Sequence, residues 1–299
     1  MNSILETIAE KTRLRVAQAK ESVTLEQLRS ACEHPPPDPP PENSTRTGER
    51  VIKQMQHGVG PIKATVTTKS KGPPTFEQAL TAPGLSFICE VKKASPSKGV
   101  IADDFPYLHI AREYESAGAA AISVLTEPDY FLGDPRYLRE IAAEVKIPVL
   151  RKDFVVDDYQ LYEAKIWGAQ AVLLICALLD TDTLARFIKT AADLKLSALV
   201  EIHDEAEAER ALAAGARIVG INNRDLNTFN VDLGVTARLK KLLPAGVITV
   251  TESGIKSPDD IRALKDSGID AALIGESLMR APDKRRFLAE LKAAYHHEN

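Results

Sequence analysis

The chain has 299 residues, 44% of them hydrophobic and 27% charged, with a formal net charge of −4. That length supports one large core, while the slight acidic balance gives no global attraction to nucleic acid or an anionic membrane, so any anion must be held by a local site. No apolar run approaches the roughly 18 to 20 residues of a membrane span, the N-terminus lacks a signal-peptide core, and Cys32, Cys89 and Cys176, odd in number and without metal-ligand spacing, point to reduced thiols in a cytoplasmic protein.

The first thirty residues predict helix. Ile4, Ile8, Leu14 and Val16 make a loose apolar face, with Glu6, Glu10, Lys11, Arg13 and Lys20 around the rest. Thr24-Leu-Glu-Gln27 has capping-box spacing for a second short helix. This N-terminal helical extension, residues 1–32, either plugs one end of a domain or also covers a ligand. Residues 33–73 form a linker or insertion of different character. Six prolines fall within 35–41, predicting extended, partly polyproline II chain, and five basic residues without an acid run from Arg50 to Lys71. The alternation Ile62, Ala64, Val66 is compatible with a short edge strand.

Residues 74–299 have a regular rhythm. Apolar, β-branched runs end near Lys92, Glu127, Lys152, Ala177, Glu201, Asn222, Glu252 and Gly275, and amphipathic stretches rich in Ala, Leu, Glu and Lys lie between them. Strands alternating with helices imply a parallel sheet with right-handed crossovers. Eight such units, without a Gly-x-Gly-x-x-Gly turn after the first strand, favour a closed (βα)₈ TIM barrel over an open doubly wound sheet: an α/β fold with an N-terminal helical extension. The Gly-containing segments at 117–119, 167–169 and 214–216 each precede a strand and predict helix C-caps.

Active sites of such barrels lie at the C-terminal ends of the strands. The first strand ends in Glu90-Val-Lys-Lys-Ala-Ser-Pro-Ser-Lys-Gly99, supplying Glu90, Lys92 and Ser95; the third supplies Lys152, the fifth Glu201 within Leu199-Val-Glu-Ile-His203, and the sixth Asn222 and Arg224. Side chains alternate along a strand, so Glu90 and Lys92 share one side, and a charged pair ending a buried strand suggests a site. Converging lysines and glutamates perturb one another's proton affinities and suit acid–base chemistry. Arg224 has the planar fork for a substrate carboxylate, and Phe131, Phe154, Leu173 and Leu226 can line an apolar wall. Ser253, Gly254, Gly275 and Glu276 lie in the turns after strands seven and eight, the usual phosphate position, where backbone N–H groups are exposed. A glutamate there requires its carboxylate to turn outward. No cluster with metal-ligand spacing falls at the strand ends, so no metal is expected.

Together with Lys152-Asp-Phe154, Gly220-Ile-Asn-Asn-Arg-Asp-Leu226, Glu252-Ser-Gly-Ile255 and Leu273-Ile-Gly-Glu-Ser-Leu-Met279, this ordered series resembles the indole-3-glycerol-phosphate synthase family over roughly residues 75 to 290. The resemblance implies ring closure of 1-(2-carboxyphenylamino)-1-deoxyribulose 5-phosphate to indole-3-glycerol phosphate, with loss of CO2 and water and without a cofactor, in tryptophan biosynthesis. It implies Lys152 as the general acid of ring closure, Glu201 and Lys92 in later proton transfers, and Glu90 and Asn222 orienting Lys92 and substrate hydroxyls. It further implies Arg224 on the anthranilate carboxylate, the four apolar residues around the aromatic ring, and the two Gly turns on the phosphate. Which group performs which proton step stays open. The expected partners are this small phosphorylated substrate and, in a monomer or weak homodimer, other tryptophan-pathway enzymes; nucleic acid and membrane are not expected. Two features depart from the family pattern, the length of 33–73 and Glu276, where a small residue such as Ser is common. The rival readings are another phosphate-binding isomerase, a Schiff-base aldolase using Lys92 or Lys152, and a non-catalytic pathway subunit.

Overall fold

Parallel strands buried on both faces need helices on one side and packed side chains on the other, and the chain satisfies this by closing the sheet. In a computed structural model describing residues 3–34, 74–226 and 228–296, eight parallel strands form a closed barrel. They are β1 (Ser86–Val91), β2 (Ala121–Leu125), β3 (Val149–Lys152), β4 (Ala171–Ile175), β5 (Ser197–Ile202), β6 (Ile218–Asn222), β7 (Ile248–Glu252) and β8 (Ala271–Ile274). Helices alternate with them, and β8 pairs with β1 to close the ring. The predicted C-caps are present: Gly118, Gly168 and Gly215 all adopt φ between 83° and 87°, the left-handed conformation that ends a helix at little cost only for glycine. One element was not foreseen, a small antiparallel hairpin of Ala94–Ser95 with Gly99–Val100 after β1.

The pairing registers step each strand by about one residue relative to its neighbour, as barrel shear demands. Inward side chains therefore stack in layers drawn from alternate strands. From the bottom these are Ala121, Ala171, Ile218 and Ala271; then Ile88, Leu150, Leu199 and Val250; then Ser123, Leu173, Gly220 and Leu273. The top layer, at the C-terminal ends of β1, β3, β5 and β7, consists of Glu90, Lys152, Glu201 and Glu252. Three mainly apolar layers thus carry a fully charged one. Phe76 and Leu80, from a short helix (Phe76–Leu80), pack into the same lumenal cluster.

The N-terminal extension comprises α1 (Ile4–Ser22) and α2 (Leu25–Glu33), each started by a capping box, on Ser3–Glu6 and Thr24–Gln27. The buried face of α1 is Leu5, Ile8, Ala9, Thr12 and Val16. Leu14, expected on that face, is instead 65% exposed, because at 100° per residue it lies about 200° from both Thr12 and Val16. Ile4, Leu5 and Ile8 line the barrel mouth, so this helix covers the opening as well as packing. Arg15 pairs with the buried Glu127 carboxylate at 3.2 Å and with Asp129 at 2.6 Å, and Lys20 with Asp157 at 2.7 Å. Val16, Val23 and Leu28 enclose Tyr159, whose hydroxyl donates to the carbonyl of Val23 at 3.0 Å. Residues 35–73, with the proline stretch, the whole basic run and the Ile62–Ala64–Val66 alternation, lie outside the described residues. Cys89 and Cys176 are buried and Cys32 partly so, all as free thiols.

Leu28 has no exposed surface, so Leu28→Ala should cost about 2–5 kcal/mol through lost burial and a cavity. Native-state hydrogen exchange should place the loss in residues 4–33 and leave β1 to β8 protected; equal loss in the barrel would mean that the extension and barrel unfold as one unit.

Candidate active site

The strand ends open into a mouth cavity of about 610 Å³. Glu90, Lys92, Ser95, Phe131, Lys152, Phe154, Leu173, Glu201, Asn222, Arg224, Leu226, Ser253, Gly254, Gly275 and Glu276 all line it. The sequence reading left out a third carboxylate, Glu252, by treating it only as the start of a glycine turn. Its parity gives it away: it ends β7 facing inward, as Glu201 faces inward near the end of β5, and its Oε2 lies 3.5 Å from Lys152 Nζ. Lys98 and Arg280 also line the mouth.

Electrostatics organise this layer. Lys152 Nζ lies 3.4 Å from Glu201 Oε2. Burial opposes its charge, but the carboxylates of Glu201, Glu252 and Glu90 outweigh burial and hold the ammonium above the ordinary lysine value. Burial likewise pushes against ionised Glu201, yet Lys152, His203 and a hydrogen bond from Asn222 hold it well below the usual carboxylate range. Glu252 goes the other way. Burial, joined by the charges of Glu201 and Glu90 and only partly offset by Lys152, pushes it up to about 8. Its Oε1 is buried and has no hydrogen-bond partner among the described residues. Lys92 Nζ sits 2.5 Å from Glu90 Oε2.

Two glycines make room for these carboxylates. A Cβ at Gly220, in the layer beneath, would run into Glu252 Oε1, and one at Gly275 would run into Glu90 Oε2 and Lys92 Nζ. The strand ends are also fixed from outside. The Asn223 amide donates to Thr251 Oγ1 at 2.8 Å and to the carbonyls of Glu252 at 3.0 Å and Ser253 at 3.1 Å, while the Thr236 hydroxyl donates to its oxygen at 2.8 Å. This network anchors the turn in which Ser253 (φ 65°) and Gly254 (φ 100°) take left-handed backbone. Beside Lys152, Asp153 accepts from the Thr126 hydroxyl at 2.6 Å, from Arg151 at 3.0 Å and from the Phe154 N–H at 2.8 Å. Phe154 faces Phe131 with ring centroids 6.1 Å apart. The carboxylate of Glu127, deep behind the mouth, accepts the backbone N–H groups of Asp129, Tyr130 and Phe131 and so shapes the loop that carries Phe131. Arg224 donates to its own loop, at the carbonyl of Phe229. The Glu276 carboxylate lies 3.3 Å from Arg280.

An ammonium among three carboxylates at the end of an apolar barrel is equipped to donate and accept protons, with cations and backbone N–H groups at the rim for an anionic ligand. A family model described as Indole-3-glycerol phosphate synthase matches residues 45–291. An indole-3-glycerol phosphate synthase of Ruminiclostridium cellulolyticum is 56% identical over 225 residues, 75% of this chain and 86% of that protein. One of Lachnoclostridium phytofermentans is 44% identical over 290 residues, 97% of this chain and 99% of that protein. Among solved structures, a 3-hexulose-6-phosphate synthase from Salmonella typhimurium superposes with a TM-score of 0.59 at 15% identity, over 71% of this chain and 100% of that one, a likeness of fold alone.

Glu252 carries a sign-definite prediction. Between its unfolded value near 4.5 and about 8, the native state keeps a proton that the unfolded chain has released, so its contribution to stability falls as pH rises through that window and levels off above it. Glu252→Gln should therefore gain stability relative to the parent from pH 5 to pH 8 in denaturant titrations. A stability difference that stays constant across those pH values would refute the raised proton affinity.

Proposed function

Because the chain belongs to the indole-3-glycerol phosphate synthase family, carboxy-lyases of tryptophan biosynthesis, we propose that the charged top layer of its barrel performs that family's ring closure, decarboxylation and dehydration with Lys152 as the first proton donor. The position of the Lys152 ammonium between Glu201 and Glu252 carries this reading. The aromatic carbon bearing the carboxylate attacks the ribulose ketone, and the carbonyl oxygen takes a proton from Lys152 as its charge develops. Glu252, which holds a proton up to about pH 8, stands within reach to restore it. The bond to CO2 then breaks and its electrons return to the ring. The hydroxyl leaves as water with a proton from Lys92, and the neighbouring CH2 gives up a proton to complete the indole. Glu201, held ionised, is the acceptor, since an ionised carboxylate accepts and an ammonium donates. Glu90 holds Lys92, and Asn222 holds Glu201.

Phe131, Phe154, Leu173 and Leu226, with Leu5 and Ile8 from α1, would enclose the anthranilate ring. Arg224 would turn to the carboxylate, and the backbone of Ser253, Gly254, Gly275 and Glu276 would hold the phosphate with Glu276 drawn aside by Arg280. The charge on Lys152 counts against a Schiff-base aldolase, whose nucleophile must be a neutral amine. In this reading residues 74–299 are the catalytic domain and 1–32 its cover, and the enzyme works in the cytoplasm as a monomer or weak homodimer, in contact with other tryptophan-pathway enzymes.

Mixing the protein with 1-(2-carboxyphenylamino)-1-deoxyribulose 5-phosphate should produce indole fluorescence. Lys152→Met should lower kcat by about 10²–10⁴-fold, the usual range for a lost general acid, while the substrate still binds; retained turnover would remove Lys152 from its role. Arg224→Ala should raise KM with a smaller effect on kcat, as expected when uniform binding energy is lost. An unchanged KM would place the substrate carboxylate elsewhere.

A further inference from the structure

We propose that His203 is a positioning residue for this reaction, its ring anchored by Glu207 and set against Glu201 so that the Glu201 carboxylate stays ionised and aimed into the mouth. The inference rests on the reading of Glu201 as proton acceptor. His203 follows β5 immediately, at the turn into α3 (Glu205–Ala213), and its side chain is 15% exposed. One oxygen of Glu207, Oε2, binds both the backbone N–H of His203, at 2.8 Å, and its ring Nδ1, at 3.0 Å. That double grip fixes the ring's orientation. Glu207 is itself held, because its N–H donates to the N-cap carboxylate of Asp204 at 2.8 Å and Arg210 approaches its other oxygen to 4.0 Å.

The second ring nitrogen then meets the site. Nε2 lies 3.4 Å from Glu201 Oε1, the oxygen not used by Lys152. With Nδ1 donating to Glu207, a neutral ring would turn a lone pair on Nε2 toward a carboxylate oxygen, which is repulsive. The arrangement is attractive only when both nitrogens carry protons. The contact is an ion pair without aligned hydrogen-bond geometry, so the ring acts on Glu201 mainly through its charge.

The other charged groups around the ring do not compete for that role. Lys152 and Glu252 lie beyond Glu201 and pair with each other. On the outer side, Arg238 is engaged by Glu205, and Arg224 by the carbonyl of Phe229. Glu6 accepts the Ser3 N–H in the α1 capping box, Asp232 accepts the Gly234 N–H, and Asp225 accepts the Thr228 N–H. Burial opposes a charged ring, but Glu201 and Glu207 together raise His203 to about 10, in agreement with the geometry.

The test compares His203→Gln with Glu201→Gln and the parent enzyme. In folded His203→Gln, the acid limb of kcat/KM should move up by about one to three pH units, the range for losing one opposite charge at this distance, with kcat reduced and KM within about twofold. A helix-capping role alone would leave the limb where it is, and an unmoved limb overturns the proposal. Nitrogen-15 NMR of the intact parent gives an answer that does not depend on the variant folding: His203 should stay doubly protonated from pH 5 to 8, and titration near the ordinary 6.5 would overturn the proposal too. Glu201→Gln separates the two readings. Full turnover in that variant would dismiss Glu201 as acceptor, whereas a His203 titration that fails to fall there would dismiss the coupling proposed here.

Discussion

A positive charge buried at the top of an apolar barrel is the constraint on which the rest of this structure depends. Lys152 stands on a lumen otherwise filled by Ile88, Leu150, Leu199 and Val250, where an unpaired ammonium would lose most of its hydration. It is kept there by Glu201 and Glu252 within 3.5 Å, and those carboxylates need space that only a missing side chain provides. Gly220 supplies it for Glu252 as Gly275 does for the Glu90–Lys92 pair. Helix α1, stapled by Arg15 to Glu127, then lays its apolar residues Leu5 and Ile8 across the opening. Restricting water in this way strengthens every charge contact inside, so the cover and the charged layer serve each other.

Much of this could be read from sequence because two periodicities are strong. Most strands are short apolar runs that end at or next to a polar residue, and the helices before β2, β4 and β6 end in a Gly turn, so the eight units and the mouth residues at their C-terminal ends fall out of the pattern. What escaped depends on relations between strands. Whether Glu252 is a turn residue or a member of the charged layer is decided by its parity and by the register of β7 against β6 and β8, neither of which a single strand reveals. The same holds for Gly220, an ordinary strand glycine until the carboxylate above it is seen. Leu14 failed for a simpler reason: a loose apolar pattern on a long helix does not fix which stripe is buried, and here Ala9 and Thr12 complete the stripe that Leu14 was expected to join. The hairpin at 94–100 is too short for any periodicity to announce.

Anchoring from outside the barrel explains how so many like charges keep their geometry. Asn223 ties the end of β6 to that of β7, Asp153 ties the end of β3 to Thr126, and Glu207 ties His203 to the start of the helix beyond it. Asn223 adjoins the mouth residue Asn222 and Asp153 adjoins Lys152, whereas Glu207 acts from the first turn of α3. The result is a mouth whose polar strand ends are held by hydrogen bonds to residues of neighbouring elements.

The three carboxylates around one ammonium are not equivalent, and that inequality is what makes a sequence of proton transfers feasible. In a symmetric environment they would share charge and titrate together, leaving no preferred donor or acceptor. Here Glu201 has a cation on each side, Lys152 on one oxygen and His203 on the other, and stays ionised. Glu252 has Lys152 on one oxygen, no hydrogen-bond partner among the described residues on the other and like charges nearby, so it keeps its proton to about pH 8. In the proposed mechanism, acceptor and proton reserve are therefore set apart by what their outer oxygens face, not by residue type. A reaction that must give a proton to a ketone, release a hydroxyl as water and remove a proton from carbon needs such a division. In that mechanism the glutamates on β5 and β7, both close to Lys152, divide the roles because His203 stands behind Glu201.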